Sequence, residues 1–562
     1  MAADKVALVK TLRDAIDALG RGFDVVNDVR LLYCKGSSVA GEESRVVCVE
    51  EEGRRRDVVV SDGVVIEGAM VDVECGRGTW YREVTPVCSF LEMSERFNEM
   101  LGISGSIPSG SFNAMFNFTG NWRIDESATK ALAMVGYFIP LYKLQISRTE
   151  LVLRDEIKRA VPDAWMPASL ASFIENFGTH VVTSTTIGGR DVVYLRQHQS
   201  STLSASDIEK YVKDIAKQRL MFFTSQPGAP PPLKHQDKDV TVIFRRRGGD
   251  DLEQSPAKWA ETVEASPDAI NMTFTPIVSL LEAVPGMKHL SHSIELYLEY
   301  KPPIADLRYF LEFQVPRVWA PEQSNLQRKE PVCPHLQFSL MGPKLYVSLD
   351  QVVVGRKPVT GLKLSLEGMK QIRLAIHLQH LVSLPKILQP HWDSHMAIGA
   401  QTWREPEEQD SRWFEPIKWK HFSYVSTAPI EQKETSIGDL SGAHIVTGAQ
   451  LGVWDFGSRS VLYLKLLFSN VPGCTIRQSV WDHSPYKLPA KKTTPSTGNE
   501  VTVDDKKTDA TSVAMKLRKL VDCTEMSKGP QDSPGHWLIT GAKLGIDKGR
   551  IVLRVKYSLL NY

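Results

Sequence analysis

Four histidines in the second half of the chain come nearest to metal-ligand spacing: His377, His380, His391 and His395. Imidazole nitrogens bind zinc when three or four of them converge on one point. Residues 372–380, however, have the alternating pattern of a β-strand, and residues three apart on a strand point to opposite faces. We therefore interpret these histidines as surface or core residues and expect no metal site.

The basic triplet Arg245, Arg246 and Arg247 could bind the phosphates of acidic lipid headgroups. Its position at the end of a strand-like run favours a competing interpretation, in which the triplet is a strand end solvated by water. Residues 248–251, two glycines and two aspartates, offer carboxylates to a cation, but a turn that caps a helix explains them better. Neither segment predicts a catalytic centre.

The sequence holds no glycine-rich phosphate loop, nucleophile elbow or clustered metal motif. A formal net charge of +1 gives the whole chain no electrostatic attraction to nucleic acid or to acidic membranes. The hydrophobic fraction of 42% and the charged fraction of 24% are those of an ordinary globular protein. We expect a protein that is not an enzyme, needs no cofactor and binds no nucleic acid.

Charged residues interrupt the N-terminal segment every few positions, so the apolar core of a signal peptide is missing. No stretch approaches the roughly 18 apolar residues that a membrane-spanning helix requires. Seven cysteines without CxxC spacing fit reduced thiols better than disulfides. We expect a cytoplasmic protein that is not secreted and that associates peripherally with the plasma membrane or another cytoplasm-facing membrane.

Apolar periodicity predicts the main elements of the first half of the chain. Helical stripes mark residues 4–19 and 207–220, and the second stripe consists of Ile208, Tyr211, Val212 and Ile215. Strands are predicted at residues 181–187, 192–197 and 240–245. Residues 111–119 alternate phenylalanine and alanine with more polar side chains, which predicts a strand with one apolar face. Residues 128–134 are short and helix-prone.

The composition changes at residues 317–334, where RVWAPEQSNLQRKEPVCP is typical of a linker. We therefore predict one domain over residues 1–316 and a β-rich domain over residues 335–562. Within the second domain, the polar residues 486–510 are expected to form a disordered loop.

The second domain contains one motif three times. T-G-x-[KQ]-L begins at Thr360, Thr447 and Thr540, and a turn and an alternating strand follow each copy. The first two copies end in Trp-Asp, at Trp392 and Trp481. Three copies predict a pseudo-threefold β domain of the β-prism type. Because the chain ends before a third Trp-Asp, we expect the strand near residues 336–340 to close the ring.

The most specific motif combines an aromatic residue, a Gly-Thr-His triplet and a later glycine pair: Phe177, Gly178, Thr179, His180, Gly188 and Gly189. It resembles the signature of the membrane-attack-complex/perforin (MACPF) family. Val181 departs from that signature, because the family often has an aromatic residue there. Further segments resemble the plant branch of the family: residues 19–36, 242–250, 289–307 and 360–381.

The resemblance implies an α+β fold, in which a bent, four-stranded antiparallel sheet is flanked by two helical clusters at about residues 102–135 and 200–238. The pair Gly188 and Gly189 would lie at the bend, because glycine tolerates positive φ and close backbone approach. His180 would lie where a helix meets the strand and would act as a structural hydrogen-bonding residue.

In pore-forming members of the family the two clusters unfurl into membrane-spanning hairpins. The resemblance therefore implies membrane lipid, possibly acidic, and further copies of the chain as partners. The side chains that such hairpins would place in lipid are Phe112, Phe116, Phe118, Met221, Phe222 and Phe223. The second cluster makes a poor membrane strand, because each charged side chain on its lipid face costs about 2–4 kcal/mol near the midplane.

Plant proteins of this type are associated with restraint of programmed cell death and of defence signalling. The resemblance thus implies a non-enzymatic, membrane-associated negative regulator of these processes, recruited through its β domain, with an unknown protein partner. Two alternatives stay open: an oligomeric pore-forming protein, and a soluble interaction scaffold that never meets lipid.

Overall fold

A computed structural model describes residues 2–36, 45–48, 55–60, 64–70, 72–147, 150–220, 239–253, 255–321, 333–338, 343–355, 357–368, 371–393, 401–417, 422–432, 442–482, 517–526 and 537–561. The chain divides into two units, Met1–Arg308 and Tyr309–Tyr562, so the boundary lies before the predicted position at residue 316. The loop predicted at residues 486–510 lies outside the described residues. No helix among the described residues is long and apolar enough to cross a membrane.

The helices of the first unit are α1 (Ala2–Ala18), α2 (Phe90–Met100), α3 (Gly110–Phe116), α4 (Trp122–Ser127), α5 (Asp155–Arg159), α6 (Pro167–Phe177), α7 (Ala205–Leu220), α8 (Pro256–Thr262), α9 (Met287–Tyr300) and the start of α10 (Leu307–Glu312). Its strands are β1 (Gly22–Phe23), β2 (Arg55–Val60), β3 (Val64–Met70), β4 (Val73–Arg77), β5 (Tyr81–Val84), β6 (Thr129–Ile146), β7 (His180–His198), β8 (Val240–Arg247) and β9 (Asp268–Pro276). The helices predicted at residues 4–19 and 207–220 are confirmed, as are the strands of β7 and β8.

The long antiparallel strands β6 and β7 form the centre of a seven-stranded sheet. On the side of β7 that faces away from β6, β8 pairs with residues 190–197 and β9 pairs with residues 180–188. In the same way β4 and β5 share the outer side of β6. Strand β1 pairs with the start of β7, on the side opposite to β9. The seven strands therefore occupy four positions across the sheet, which agrees with the four-stranded expectation.

We call the part of the sheet that contains β5 and β8 the β8 half. Helices cover it on both faces. Side chains alternate between the faces, because successive residues of a strand point in opposite directions. One face packs against α2 and α3 and consists of Leu132, Met134, Val192, Tyr194 and Ile243. The other face packs against α7 and consists of Ala133, Val135, Val193, Leu195 and Val240. The two helical clusters therefore lie on opposite faces of the same half.

The strand predicted at residues 111–119 is wrong, because these residues form helix α3 and the turn after it. The Ser109 side chain caps the helix by accepting a hydrogen bond from Phe112 N–H, and Asn117 ends it in the left-handed conformation with φ 54°. Phe112 and Phe116 are four residues apart, a spacing that fits one helical face as well as one strand face. The helix predicted at residues 128–134 is also wrong, since these residues begin β6.

The second unit contains the rest of α10, helix α11 (Gln389–Asp393) and strands β10 (Arg317–Ala320), β11 (His335–Gln337), β12 (Lys344–Val347), β13 (Val352–Val353), β14 (Val359–Glu367), β15 (Arg373–Leu381), β16 (Thr402–Arg404), β17 (Phe414–Pro416), β18 (Ser423–Ser426), β19 (Ile430–Glu431), β20 (Ala443–Asp455), β21 (Ser460–Val471), β22 (Thr475–Asp482), β23 (Trp537–Asp547) and β24 (Arg550–Asn561). Because β10 pairs with β15, the predicted linker is wrong for residues 317–320.

The three copies of the T-G-x-[KQ]-L motif form equivalent hairpins: β14–β15, β20–β21 and β23–β24. In each hairpin the ladder shifts register at the motif threonine, which is Thr360, Thr447 or Thr540. Such β-bulges are local features that rarely coincide by chance. Apolar residues of all three hairpins share one core. The predicted repeat is confirmed, and the β-prism arrangement of its sheets stays a prediction.

Each hairpin takes an outer strand from an earlier segment of the chain: β10 pairs with β15, β16 with β21, and β22 with β24. In each sheet, one residue of the middle strand pairs with the motif glycine on one side and with a tryptophan on the other. Gln379 lies between Gly361 and Trp319, Leu467 between Gly448 and Trp403, and Lys556 between Gly541 and Trp481. The predicted equivalence of Trp392 with Trp481 is therefore wrong, and Trp392 belongs to α11. The predicted ring closure near residues 336–340 is also wrong, because β11 pairs with β12.

Candidate functional site

The Gly-Thr-His triplet joins the end of α6 to the N-terminal segment of the chain. Gly178 ends the helix with φ 75°, and a Cβ there would lie 2.5 Å from the Phe23 carbonyl oxygen. The Thr179 hydroxyl accepts a hydrogen bond from Val25 N–H at 3.3 Å and lies 3.4 Å from the Phe23 oxygen. The backbones of Phe177 and Gly22 also approach closely, since a Cβ at Gly22 would lie 1.9 Å from the Phe177 carbonyl oxygen. The triplet thus fixes β1 against β7.

His180 is the first residue of β7 and is only 3% exposed. Its Nδ1 lies 3.0 Å from the Thr179 hydroxyl, and its ring meets the edge of Phe274. Burial lowers the pKa of His180 to about 4, so the ring is neutral at physiological pH. This geometry fits the structural role expected of His180.

Asp24 and Tyr297 form a buried contact beside the triplet that the sequence patterns did not reveal. The Tyr297 hydroxyl donates a hydrogen bond of 2.6 Å to Asp24 Oδ2, and Val26 N–H donates one of 3.1 Å to Oδ1. Burial raises the pKa of Asp24 above its usual range, against the opposing effect of the Tyr297 hydrogen bond. The only sequence signal was the resemblance of residues 19–36 and 289–307 to plant MACPF proteins.

The glycine pair lies where the partners of β7 change from β9 to β8. A Cβ at Gly188 would be 2.0 Å from the Ile139 carbonyl oxygen, and one at Gly189 would be 2.6 Å from Val263 Cγ2. Close approach is therefore the reason for glycine here. The expectation of positive φ is wrong, because neither residue has it.

A second glycine pair packs against the first. Gly248 and Gly249, with φ values of 71° and 74°, form the turn after β8. A Cβ at Gly248 would lie 2.3 Å from the Gly188 carbonyl oxygen. The fully buried Trp259 covers these glycines and donates a hydrogen bond of 2.8 Å from Nε1 to the Gly248 oxygen. We call Gly188, Gly189, Gly248 and Gly249 the glycine waist. The helix-capping turn predicted at residues 248–251 is wrong, because Gly248 and Gly249 belong to the waist and the N-cap residue of α8 is Ser255.

The arginine triplet is not a solvated strand end. Arg246 forms an ion pair with Asp191 at 2.9 Å and lies 4.9 Å from the centre of the Trp259 ring. Arg247 is buried and forms an ion pair with Asp28 at 2.7 Å. Arg245 donates to Ala114 O and to Asn117 Oδ1. All three guanidinium groups thus have partners within the protein. Their role as a lipid headgroup site stays a prediction, and these contacts argue against it.

The first helical cluster, defined by α2, α3 and α4, is held by a core of phenylalanine rings. Phe112 and Phe116 are fully buried between α2 and the sheet, and Phe116 packs edge-on against Tyr194 at 5.0 Å. Phe118 is half-buried, and the Arg196 guanidinium lies 4.7 Å from its ring centre. Of the candidate membrane-contacting phenylalanines in this cluster, Phe112 and Phe116 are core residues and Phe118 packs at the rim of the core.

Polar contacts from the sheet and α9 also hold this cluster. Arg190 donates to Met115 Sδ in α3 at 3.5 Å, next to the contacts of Arg245 with the same helix. Arg123 in α4 forms an ion pair with Glu299 in α9 at 2.6 Å. Such contacts must break before α3 can leave the sheet.

The second helical cluster, as far as it is described, is the amphipathic helix α7. Ile208, Val212 and Ile215 are buried against the sheet, as predicted. Glu209 and Lys213 are exposed and form an ion pair of 2.6 Å one turn apart. Of the candidate membrane-contacting residues, Met221, Phe222 and Phe223 lie outside the described residues.

The histidines considered for a metal have separate partners. His377 Nε2 contacts Glu367, His380 Nδ1 lies 2.9 Å from Leu381 O, and His391 Nδ1 lies 2.9 Å from Pro472 O. His395 lies outside the described residues. Within the described part of the chain, no group of three or more histidine, cysteine, aspartate or glutamate side chains could hold a metal ion.

A family model for the MAC/Perforin domain matches residues 9–307. The chain is 66% identical over 561 residues to "MACPF domain-containing protein CAD1" of Arabidopsis thaliana, which covers 99% of this chain and 97% of that protein. It is 40% identical to "MACPF domain-containing protein At4g24290" of the same plant, covering 98% of this chain and 96% of that protein. The crystal structure of GNIP1Aa from Chromobacterium piscinae aligns with 70% of this chain and 73% of that chain, with 12% identity and a TM-score of 0.36. The residues matched by the family model include the glycine waist and both helical clusters.

Proposed function

Because the chain belongs to the MAC/Perforin family, we propose that it is a non-enzymatic protein that acts at a membrane surface and restrains programmed cell death and immune signalling. The observation that carries the proposal is the placement of the two helical clusters on opposite faces of the β8 half. The restraint of cell death enters through the resemblance to plant members of the family. In the proposed setting the protein is cytoplasmic and binds membrane lipid through its second unit.

Chain connectivity favours the second candidate function, a pore-forming protein that unfolds its clusters. Helices α2, α3 and α4 connect β5 to β6, and α7 leads from β7 towards β8. Each cluster therefore joins two strands of the sheet, and straightening it would lengthen those strands without breaking their existing ladder. The sheet thus has the connectivity that two inserted hairpins would need.

The charges of α7 support a regulator over a pore-former. Asp207, Glu209 and Lys213 are exposed on the helix. In a hairpin these three side chains would share one face, and Lys210 and Asp214 would share the other. Either face would therefore place charges in lipid, at about 2–4 kcal/mol for each charge near the midplane. The contacts of α3 with Arg190 and Arg245 add a further cost to releasing the first cluster.

Vesicle flotation combined with dye release tests the proposal. The full chain should float with phospholipid vesicles while an entrapped dye stays inside. Failure to float with vesicles of any composition would contradict membrane action and leave the soluble scaffold. Dye release that rises with protein concentration would instead establish the second candidate function, an oligomeric pore-forming protein, which the connectivity of the clusters favours.

The cellular part of the proposal has its own test. Depletion of the protein from plant leaf tissue should increase electrolyte leakage, the physical sign of dying cells, and re-expression of the chain should reverse it. Unchanged leakage after depletion would contradict a restraining role, whatever the vesicle experiments show.

A further inference from the structure

The three equivalent hairpins of the second unit differ on their outer faces. Counting from the motif glycine, the same pair lies near each turn on the side away from the shared core: Glu367 opposite Arg373, Asp547 opposite Arg550, and Trp454 opposite Val461. Trp454 and Val461 are both buried, with Phe414 and Tyr424 packed against them. An acid opposite an arginine suits a surface that water covers. The middle hairpin, β20–β21, has two apolar side chains at the position where its siblings are charged.

The apolar pair belongs to a stack of aromatic rings built onto this face. The rings of Trp454 and Tyr463 stack with centroids 4.2 Å apart and an interplanar angle of 14°. Tyr463 lies across Gly452, where a Cβ would be only 2.3 Å from the Tyr463 ring. Glycine at residue 452 is therefore needed for the flat stack, which forms a rigid base.

Two partly exposed aromatic residues adjoin this base: Phe456 through its contact with Phe414, and Trp413 as the chain neighbour of Phe414. Phe456, in the turn of the hairpin, is 45% exposed, and its ring lies 6.2 Å from Phe414. Phe414 in turn lies 6.0 Å from Trp454. Trp413, the last residue of the short 3-10 helix Ser411–Trp413, is 40% exposed. We call Trp413 and Phe456 the aromatic tips.

The charges within the two turns that carry the tips are equal in number and opposite in sign. Arg412 forms a two-pronged ion pair with Asp410, at 2.8 and 2.9 Å. In the other turn, Asp455 accepts a hydrogen bond of 2.9 Å from Gly457 N–H, and Arg459 lies 5.6 Å from the Tyr424 ring centre. Each turn therefore carries one acid and one arginine. The exposed Glu407 and Glu408 precede the first turn and disfavour an anionic surface.

We propose that the aromatic tips enter the interfacial layer of a zwitterionic bilayer and anchor the second unit there. The inference rests on the proposed action at membranes and names the surface responsible. Aromatic side chains next to arginine are typical of membrane–water interfaces, where one end of the group is apolar and the other is wet. Two turns without net charge, with exposed Glu407 and Glu408 beside one of them, fit headgroups of zero net charge, such as phosphatidylcholine, better than anionic ones. The tips extend from turns, which suits a soft surface.

The experiment is flotation of the full chain with phosphatidylcholine vesicles, comparing wild type with a Trp413→Ala/Phe456→Ala double variant. Because Trp413 and Phe456 are 40% and 45% exposed, the double variant should fold and lose only a few degrees of melting temperature, which is measured alongside binding. Vesicle affinity should fall at least about tenfold, since each large apolar side chain removed from the interface weakens binding. Added phosphatidylserine should not strengthen wild-type binding, because the exposed Glu407 and Glu408 repel an anionic surface, and about 0.5 M salt should not weaken it.

Two matched controls address non-specific effects. Trp80→Ala removes an aromatic side chain that is 71% exposed in the first unit. Lys548→Ala changes the turn of the third hairpin, at the place equivalent to the aromatic tips. Both variants should bind phosphatidylcholine vesicles as the wild type does.

Three results would overturn the inference. Equal binding of the double variant and the wild type would remove the aromatic tips from membrane contact while leaving the proposed function intact. Binding that requires phosphatidylserine and disappears in salt would assign the contact to basic residues elsewhere. A wild-type dimer in sedimentation velocity that the double variant loses, without vesicle binding by either, would assign the surface to a second copy of the chain. If the wild type does not float with vesicles of any composition, the proposed function itself fails.

Discussion

Gly188 and Gly248 approach so closely that a Cβ on Gly248 would lie 2.3 Å from the Gly188 carbonyl oxygen. Gly188 lies in β7 and Gly248 in the turn after β8, at the level where the partner of β7 changes from β9 to β8. Any side chain at either position would force the strands apart. The glycine waist therefore couples the β8 half, which carries both helical clusters, to the rest of the sheet.

Replacing Gly188 by alanine should destabilise the first unit by about 2–4 kcal/mol, because the new Cβ would lie within 2.0 Å of a backbone oxygen that cannot move away freely. Thermal unfolding measures the effect. Gly76→Ala in β4 is the matched control, since a Cβ there meets nothing within 4 Å and φ is not positive. Equal melting temperatures for the two variants would remove the steric role of Gly188.

Trp259 should stabilise the waist through its hydrogen bond as well as its size. Trp259→Phe keeps most of the packing but loses the bond to Gly248 O, at an expected cost of about 1–2 kcal/mol. Trp259→Ala also opens a cavity and should cost about 3–5 kcal/mol. Denaturant unfolding of both variants checks the order. A phenylalanine variant as stable as the wild type would show that the hydrogen bond contributes nothing.

The sequence predicted those parts of the first unit whose pattern fits one structure only. The stripe of Ile208, Val212 and Ile215 fits a helix and not a strand, and α7 confirmed it. Residues 111–119 fitted both, because Phe112 and Phe116 share a face in either structure. Ser109 and Asn117 decided between them by capping α3. The partners of Arg247 were beyond prediction, since Asp28 is brought to it only by the complete fold.

The same limit applies to the second unit. The T-G-x-[KQ]-L motif revealed the three hairpins because each copy meets the same bulge. Sequence similarity then made Trp392 the equivalent of Trp481. Strand register shows that Trp403 holds the position equivalent to Trp481. Which chain segment supplies the outer strand depends on the connections between hairpins, and no local pattern encodes these.

His180 should make stability depend on pH in acid. Burial lowers its folded-state pKa from 6.5 to about 4, so below pH 6.5 the unfolded state takes up a proton that the folded state does not. The stability present above pH 6.5 is therefore lost as pH falls towards 4, by about 3 kcal/mol in total. Unfolding free energies of wild type and His180→Gln should converge over this range. Parallel pH profiles would contradict a buried, neutral His180.

The phenylalanine core of the first cluster should show graded costs. Phe112→Ala should destabilise the fold by about 3–5 kcal/mol, because the ring is fully buried. Phe118 is half-buried at the rim, so Phe118→Ala should cost less than half as much. Chemical unfolding of the two variants gives the comparison. Similar costs for both would mean that α3 does not pack against the sheet as described.

The central claim is that the protein meets membranes with its helical clusters still folded. Cysteines placed singly at residues 206, 207, 209, 210, 213 and 214, all exposed on α7, can carry a polarity-sensitive dye. The exposed Cys48 and Cys523 are first replaced by serine, so that they do not react. On phosphatidylcholine vesicles to which the protein has bound, every labelled position should report water, as it does in solution. A lipid signal at every second position would show α7 converted to a membrane strand and would make the protein a pore-former.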